Sequence, residues 1–360
     1  MAQYYNVTAI SAEKERLEKY GLDNGIATYH LELTRKITPI KDFKAVYHLY
    51  RFFRKEKPLI VHTHTPKAGI VGMMAAYFAR VPLRLHTVAG LPLMEATGLK
   101  RMILDAVEKL TYRFATQVYP NSKGLYDFII SEKFTNPRKL KVLGKGSSNG
   151  IDTHYFDPNI YSNEDNVKLK NDWNITNSDF VFVFVGRMVA DKGVNEMVGA
   201  FQELLKKNQH CSLLLVGPFE DELDPLFPAT IEAIASNDKI IHVGYQTDVR
   251  PFLSISNALV FPSYREGFPN VVLQSSAMGL PAIVSNINGC NEIITPGLNG
   301  IIIPVKDQAA TLDAMEVLIN NRDLYSELQK NARAIIVENY SRQEMWECLL
   351  NEYKLLQTNL

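Results

Sequence analysis

The sequence has few cysteines and no segment that could span a membrane. Its three cysteines, Cys211, Cys290 and Cys348, are odd in number and fit neither a disulfide framework nor a zinc site. The longest apolar run, residues 68–79, has 12 residues, whereas a membrane-spanning helix needs about 20. The N-terminal residues also lack the basic flank and apolar core of a secretory signal. These absences predict a cytoplasmic chain that does not cross a membrane.

The chain has no net charge, but its two halves carry opposite charges. Residues 1–152 contain 24 lysines and arginines against 13 aspartates and glutamates, and residues 153–360 contain 15 against 26. The halves therefore carry net charges of +11 and −11. Such asymmetry predicts a basic domain that faces a membrane surface, a phosphate or a nucleic acid, beside an acidic domain that does not.

Length and pattern predict two α/β domains, because a domain has about 150 residues and this chain has 360. Short β-branched and aromatic runs alternate with amphipathic segments, which is typical of βαβ units and parallel sheets. We place one domain at residues 1–152, a second at 153–339 and a final helix at 340–360. The predicted strands are residues 5–10, 26–33, 59–64, 83–87, 117–119 and 141–143, then 181–186, 212–217, 240–244, 258–263, 281–285 and 300–305.

Two loops that follow predicted strands of the second domain carry candidate site residues. The segment GRMVADKG contains Arg187 and Lys192 between glycines, and two such cations suit a diphosphate. In the segment YREGFPNVVLQ, Glu266 precedes a helix that we expect to begin near Pro269 and whose first amides suit an anion. Ligands of parallel sheets bind beyond the carboxyl ends of the strands, so both loops should face one cleft. Taken alone, the first loop is equally compatible with a surface loop that carries two solvated cations. Glu266 taken alone is equally compatible with an ordinary carboxylate favoured near a helix N-terminus.

Together these loops resemble the retaining glycosyltransferases of family 4, which have the GT-B architecture of two Rossmann-like domains facing each other across a cleft. The resemblance covers nearly the whole chain. The further segments that carry it are HTHTPKAG (62–69), RLHTVAGLP (84–92), YPNS (119–122), NGID (149–152), VGPFEDELDP (216–225) and NGCNEII (288–294). All of them resemble bacterial enzymes that build capsular, exopolysaccharide or O-antigen repeat units.

The resemblance implies roles for individual residues. Arg187 and Lys192 would hold the donor diphosphate, Glu266 the hydroxyls of the donor sugar, and His86 would reach that sugar near the scissile bond. The alternative for His86 is a structural histidine whose hydrogen bonds are satisfied by the neighbouring backbone. The other implied donor-binding positions are Gly186, Gly267, Phe268, Pro269, Asn270, Gln274 and Glu292.

The same resemblance implies a retaining transfer of a sugar from a nucleotide sugar, a UDP-sugar, to a polyprenyl-diphosphate-linked glycan. Fixed cations and helix amides would stabilise the departing diphosphate, so we expect no enzyme nucleophile, metal ion or other cofactor. The basic first half would rest on the anionic inner face of the cell membrane. Nucleic acid is not an expected partner, because no recognition module is present.

The sequence departs from the family at two places. Gln274 stands where family members usually have a second glutamate that binds the ribose hydroxyls, and an amide accepts hydrogen bonds without charge. Family members also usually begin with a further strand, a glycine-containing loop and a helix. We therefore expect that a first βα unit is missing from the predicted N-terminal domain.

Three other interpretations stay open at this point. A nucleotide-sugar epimerase of the same architecture would act on free UDP-sugar without an acceptor. A binding protein with impaired catalysis would explain Gln274. A magnesium-dependent transferase would use the acidic run Glu220, Asp221, Glu222 and Asp224. A nicotinamide enzyme is disfavoured, because no G-x-G-x-x-G follows a strand.

Overall fold

The computed structural model describes residues 1–34, 38–220 and 224–360. The chain forms two compact units, which we call unit 1 (Met1–Ser148 and Met345–Leu360) and unit 2 (Asn149–Glu344). The sheets of both units are parallel, with helices between successive strands, so the predicted α/β class is confirmed. Within the ranges described, no helix is both long and apolar enough to span a bilayer.

The described strands of unit 1 form two parallel sheets. Strand β1 pairs with β2, and β3, β4 and β5 pair in that order. The strands are β1 Thr8–Ser11, β2 Ala27–His30, β3 Ile60–Thr63, β4 Leu83–Val88 and β5 Gln117–Pro120. The helices are α1 Lys14–Asn24, α2 Pro39–Glu56, α3 Pro66–Phe78, α4 Gly98–Phe114 and α5 Lys123–Ser131.

The strand predicted at residues 141–143 is wrong. Only Leu140 forms a bridge, to Val118, and the chain then leaves the sheet. Gly144 and Gly146 adopt positive φ angles of 55° and 100°, which turn the backbone. Lys141 extends its side chain to an ion pair with Glu352 in the last helix of the protein. A turn and a long-range ion pair therefore replace the strand predicted at these three residues.

Unit 2 has one six-stranded parallel sheet in the order β11-β10-β9-β6-β7-β8. Its strands are β6 Phe180–Val185, β7 Cys211–Val216, β8 Ile240–Gly244, β9 Ala258–Phe261, β10 Ala282–Ser285 and β11 Gly300–Ile303. Strand order reverses between β6 and β9, and ligands of doubly wound sheets bind at such a reversal. The loops that follow β6 and β9 leave the sheet side by side at this point.

The helices of unit 2 pack on a sheet whose central strands are buried. Continuous apolar strands such as FVFVFV of β6 are expected where both faces are covered. The helices are α6 Asn163–Asp172, α7 Val194–Lys207, α8 Pro228–Ser236, α9 Arg250–Ser254, α10 Asn270–Ala277, α11 Cys290–Ile293, α12 Gln308–Asn320 and α13 Arg322–Tyr340. Helix α10 begins one residue after Pro269, as the sequence predicted.

The last helix, α14 (Arg342–Thr358), begins in unit 2 and continues into unit 1. In unit 1 the Tyr353 hydroxyl lies 2.6 Å from Nδ1 of His62, and the Tyr119 hydroxyl donates to Glu352 over 3.1 Å. The Tyr5 hydroxyl donates to Gln357 over 2.8 Å. These polar contacts attach the C-terminal residues to β3, β5 and the segment before β1.

Candidate functional site

The loop after β6 carries the two predicted cations. Gly186 and Arg187 follow the strand directly, and Lys192 ends a short 3₁₀ turn, Ala190–Lys192, that leads into α7. Arg187 is exposed and forms an ion pair with Glu220, which lies after β7. Of the acidic run that favoured magnesium, Asp221 and Glu222 lie outside the described residues.

Lys192 and Glu266 form the centre of the candidate site. The Lys192 Nζ atom lies 2.6 Å from Oε1 of Glu266, although the two residues are 74 positions apart. Both side chains are mostly shielded, with 16% and 19% of their surface exposed. An ammonium group has three N–H donors, and the bond to Glu266 uses one of them. The pair therefore places a fixed cation and a fixed carboxylate beside the start of α10.

Neighbouring residues hold Lys192 and Glu266 in place. The Ser263 Oγ atom lies 3.2 Å from Glu266 Oε1 and 3.0 Å from the main-chain oxygen of Arg265. On the other loop, the main-chain N–H of Asp191 donates to Asp224 Oδ2 over 2.6 Å, and Arg265 donates to Asp191 Oδ2 over 2.8 Å. The turn that carries Lys192 is therefore bound to the loop that carries Glu266.

A turn after β10 packs against the Glu266 loop. The Nδ2 atom of Asn288 donates to the main-chain oxygens of Glu266, over 3.3 Å, and Gly267, over 2.5 Å. Gly289 has a φ of 76°, and a Cβ atom there would lie 2.5 Å from the Gly267 oxygen. Only glycine fits this contact without a shift of the backbone. Residues 288 and 289 thus fix the direction of the peptide groups that precede α10.

Helix α10 places the remaining predicted residues around its first turns. Pro269 stands at the N-cap, and the exposed Asn270 opens the helix. Phe268 is buried, with its ring centroid 5.6 Å from that of Tyr340. Gln274, one turn further on, is half-buried. In this first turn the N–H of Val272 donates to the Pro269 carbonyl over 3.2 Å. The amide that opens a helix has no carbonyl partner within it, so the N–H of Asn270 can donate to an anion.

Glu292 lies on α11, after β10, and is half-buried. The hydroxyl of Tyr340 donates to the main-chain oxygen of Glu292 over 2.9 Å, and burial raises the pKa of Tyr340 to about 12. Burial likewise raises the pKa of the Cys290 thiol, and the Glu266 carboxylate adds to that rise while Lys192 opposes it. Cys290 therefore stays a neutral thiol packed behind the Lys192–Glu266 pair.

His86 lies inside unit 1, with 2% of its surface exposed. Its Nδ1 atom is 2.8 Å from Oγ1 of Thr63, and its ring packs against Gly69, where a Cβ atom would lie 2.6 Å from Cε1. Burial lowers the pKa of His86 to about 3, so the imidazole is neutral at neutral pH. A donor sugar could contact this ring only after a neighbour moved, and its role at the donor stays a prediction.

We predict that Asn288 variants lose donor affinity and turnover in a defined order. Asn288→Ala removes the donors to Glu266 and Gly267 and should lower kcat/KM for the donor about tenfold, the cost of one buried hydrogen bond or slightly more. Asn288→Asp replaces those donors with a carboxylate that faces two carbonyl oxygens, and it should be worse than alanine. Steady-state kinetics of both folded variants test this order. An aspartate variant as active as the wild type would contradict it.

Sequence reasoning missed Ser263, Asp191 and Asn288 as parts of the site. Their partners are main-chain atoms and carboxylates that come close only through the pairing of β6, β9 and β10. Asn288 stands before a glycine, a pair that indicates a turn, but nothing in the local sequence indicated which loop its side chain would contact.

Comparison with known proteins gives the family. The profile of the Glycosyl transferases group 1 family matches residues 165–335, and that of the Glycosyl transferase 4-like family matches residues 1–122. The chain is 33% identical to the capsular polysaccharide biosynthesis glycosyltransferase CapM of Staphylococcus aureus, over 97% of this chain and 89% of that protein. It is 30% identical to an Escherichia coli UDP-Gal:alpha-D-GlcNAc-diphosphoundecaprenol alpha-1,3-galactosyltransferase, over 94% and 86%.

The fold is shared with a solved structure. HepE from Anabaena, in complex with UDP, superposes with a TM-score of 0.81 at 16% sequence identity and covers 98% of this chain and 93% of its own. At that identity the likeness shows the fold alone, which is the GT-B fold expected from the sequence.

Proposed function

Because the chain belongs to the glycosyl transferases of group 1, we propose that it moves a sugar from a UDP-sugar to a polyprenyl-diphosphate-linked glycan, with retention of anomeric configuration. Membership of this family makes the protein a nucleotide-sugar glycosyltransferase of polysaccharide biosynthesis. The observation that carries the finer proposal is the 2.6 Å contact of Lys192 with Glu266 beside the start of α10.

We infer that the donor diphosphate binds to Lys192, Arg187 and the main-chain N–H groups of Gly267, Phe268 and Asn270. In the transfer, the bond from the anomeric carbon to the diphosphate oxygen breaks, and a bond to the acceptor oxygen forms on the same face. The acceptor proton passes to an oxygen of the departing diphosphate. Negative charge thus grows on the diphosphate, and fixed donors stabilise it most where it develops. Glu266 would accept hydrogen bonds from the hydroxyls of the donor sugar.

This chemistry requires no metal ion, and we propose that the enzyme is metal-independent. Arg187 and Lys192 supply two positive charges and the helix amides supply further donors, which is the role that magnesium takes in other diphosphate sites. Transfer should therefore continue in excess chelator. Loss of activity in chelator and its return with added magnesium would contradict this part of the proposal.

The names of the relatives support the proposed polyprenyl-diphosphate-linked acceptor. The E. coli protein is named for a UDP-galactose donor and a diphosphoundecaprenol-linked acceptor. In our chain the net charge of +11 in residues 1–152 suits an acceptor that carries a diphosphate and lies in an anionic membrane. We therefore propose a cytoplasmic enzyme whose unit 1 rests on the membrane surface. Binding to anionic vesicles should weaken as salt rises, and salt-independent binding would contradict a surface role.

The experiment that tests the function is a donor and acceptor screen. Purified protein is incubated with labelled UDP-sugars, with and without synthetic polyprenyl-diphosphate-linked saccharides, and the products are separated. The proposal expects a labelled lipid product whose new linkage keeps the configuration of the donor. Conversion of UDP-sugar without an acceptor would indicate an epimerase. UDP binding with no product for any pair would indicate a binding protein.

We predict that Gln274→Glu lowers the KM for the UDP-sugar about fivefold, because a charged acceptor forms stronger hydrogen bonds with hydroxyl groups than a neutral amide. Gln274 lies on α10 and is half-buried, so the added carboxylate would face the ribose that we place there. Gln202→Glu, on the exposed face of α7, adds the same charge and serves as the control. An unchanged or higher KM for Gln274→Glu would argue against a ribose contact at this position.

A further inference from the structure

We propose that a set of exposed apolar side chains on unit 1, which we call the apolar edge, inserts into the surface of an anionic lipid bilayer. The inference rests on the proposed function and names the part of unit 1 that contacts the membrane. The apolar edge lies on the N-terminal halves of α2 and α4. It comprises Ile40, Phe43, Tyr47, Leu99, Met102 and Ile103.

Helix α2 has two apolar faces, and only one of them is covered. Ala45, Leu49 and Phe53 are buried in unit 1. Three large side chains, spaced three and four residues apart on another face, are exposed at 88%, 67% and 56%, namely Ile40, Phe43 and Tyr47. Single exposed apolar residues are ordinary, but a stripe of three on one helix marks an interaction surface.

The start of α4 repeats this pattern. Leu99, Met102 and Ile103 are exposed at 72%, 68% and 42%, and their spacing also places them on one face. Helix α3 packs against both α2 and α4, so the two exposed groups flank it.

Both groups lie at the same end of unit 1. Each of the helices α2, α3 and α4 follows a parallel strand, so its first turns lie near the carboxyl ends of the strands. An ion pair of 2.6 Å between Asp42 of α2 and Lys67 of α3 joins the first turns of these two helices. The carboxyl end is also where parallel sheets bind ligands, so a membrane there would lie beside the acceptor end of unit 1.

The charges around the apolar edge favour an anionic bilayer over a neutral partner. Lys41, Lys44 and Lys100 are exposed among the apolar side chains. The nearby carboxylates Asp42 and Asp105 are paired with Lys67 and Arg101, each over 2.6 Å, so they do not cancel the lysines. Bulky apolar side chains between lysines are typical of helices that lie in a membrane interface. The Arg51 guanidinium, 6.0 Å from the Tyr47 ring, extends the positive charge along α2.

The test measures binding of the full chain to vesicles of phosphatidylcholine that contain phosphatidylglycerol. One variant carries Ile40→Ser, Phe43→Ser and Tyr47→Ser, and a second carries Leu99→Ser, Met102→Ser and Ile103→Ser. Each should lower the partition coefficient at least about tenfold, because each removes apolar area from the interface without a change in charge. Leu22→Ser is the matched control, because Leu22 is 85% exposed but lies in the last turns of α1, and it should bind like the wild type.

The single variant Ile40→Ser changes only the most exposed side chain, so it is the variant least expected to disturb folding. It should lower the partition coefficient about threefold or more. Wild-type binding by either triple variant would overturn the proposal, as would equal binding of the wild type to purely zwitterionic vesicles. All variants are also assayed on a short-chain acceptor in detergent-free solution, where they should match the wild type. If no protein transfers sugar but the vesicle results hold, the proposed function fails and the membrane contact stands.

Discussion

Replacing Lys192 with alanine should lower turnover at least about 100-fold, as the loss of one oxyanion donor does in other enzymes, and Arg187→Ala should have an effect of the same order. Lys192 is mostly shielded and is held by Glu266, so its charge has a fixed position before the reaction begins. A fixed charge needs no reorganisation as the diphosphate departs. The loss should therefore appear in kcat, measured with saturating UDP-sugar and acceptor.

Lys239→Ala provides the matched control for this prediction. Lys239 also forms a 2.6 Å ion pair with a carboxylate of unit 2, Asp179, but both residues precede their strands and so lie at the opposite edge of the sheet. Its removal should lower stability and leave kcat unchanged. If Lys192→Ala and Arg187→Ala both retained wild-type turnover, the diphosphate site described above would be wrong.

Replacing Gly193 with alanine should lower the free energy of unfolding by at least about 2 kcal/mol. Gly193 links the turn of Lys192 to α7 and has a φ of 69°, which alanine adopts only with strain. A Cβ atom there would also lie 2.2 Å from the main-chain oxygen of Pro262, before the Glu266 loop. The backbone must therefore shift where the two site loops meet. Urea unfolding gives the change in stability, and turnover should fall with it.

Gly297→Ala separates the two causes. Gly297 has a similar φ of 76°, but a Cβ atom added there has nothing within 4 Å. Its substitution should cost only the backbone strain, about 1 kcal/mol, and leave turnover unchanged. Equal destabilisation by the two alanines would show that the contact with Pro262 is relieved without cost.

Local pattern was sufficient to predict the strands of unit 2. Runs such as FVFVFV and SLLLV end in glycine or a turn residue, and each forms a strand of the single parallel sheet. Pattern failed at residues 141–143, where Val142 and Leu143 are apolar but the following glycines turn the chain away. The Leu140 bridge to Val118 shows that the edge of β5 was available, so the glycine turn rather than the lack of a neighbouring strand ends the pairing.

The meeting of Lys192 and Glu266 followed from topology, because loops after adjacent parallel strands leave the sheet at the same edge. The residues that hold the pair could not be predicted in the same way. Ser263 and Asn288 bind through single polar atoms whose partners depend on the register of neighbouring loops. For His86 the sequence left a donor contact and a structural role open, and the structure buries the ring against Gly69.

The most direct test of the central claim is a crystal structure of the protein with bound UDP. The two phosphorus atoms should lie at the carboxyl edge of the unit 2 sheet, with phosphate oxygens about 2.7–2.9 Å from Nζ of Lys192 and from main-chain N–H groups among Gly267, Phe268 and Asn270. Arg187 should contact the same diphosphate. Phosphates bound elsewhere on unit 2, with Lys192 still turned only to Glu266, would contradict the claim.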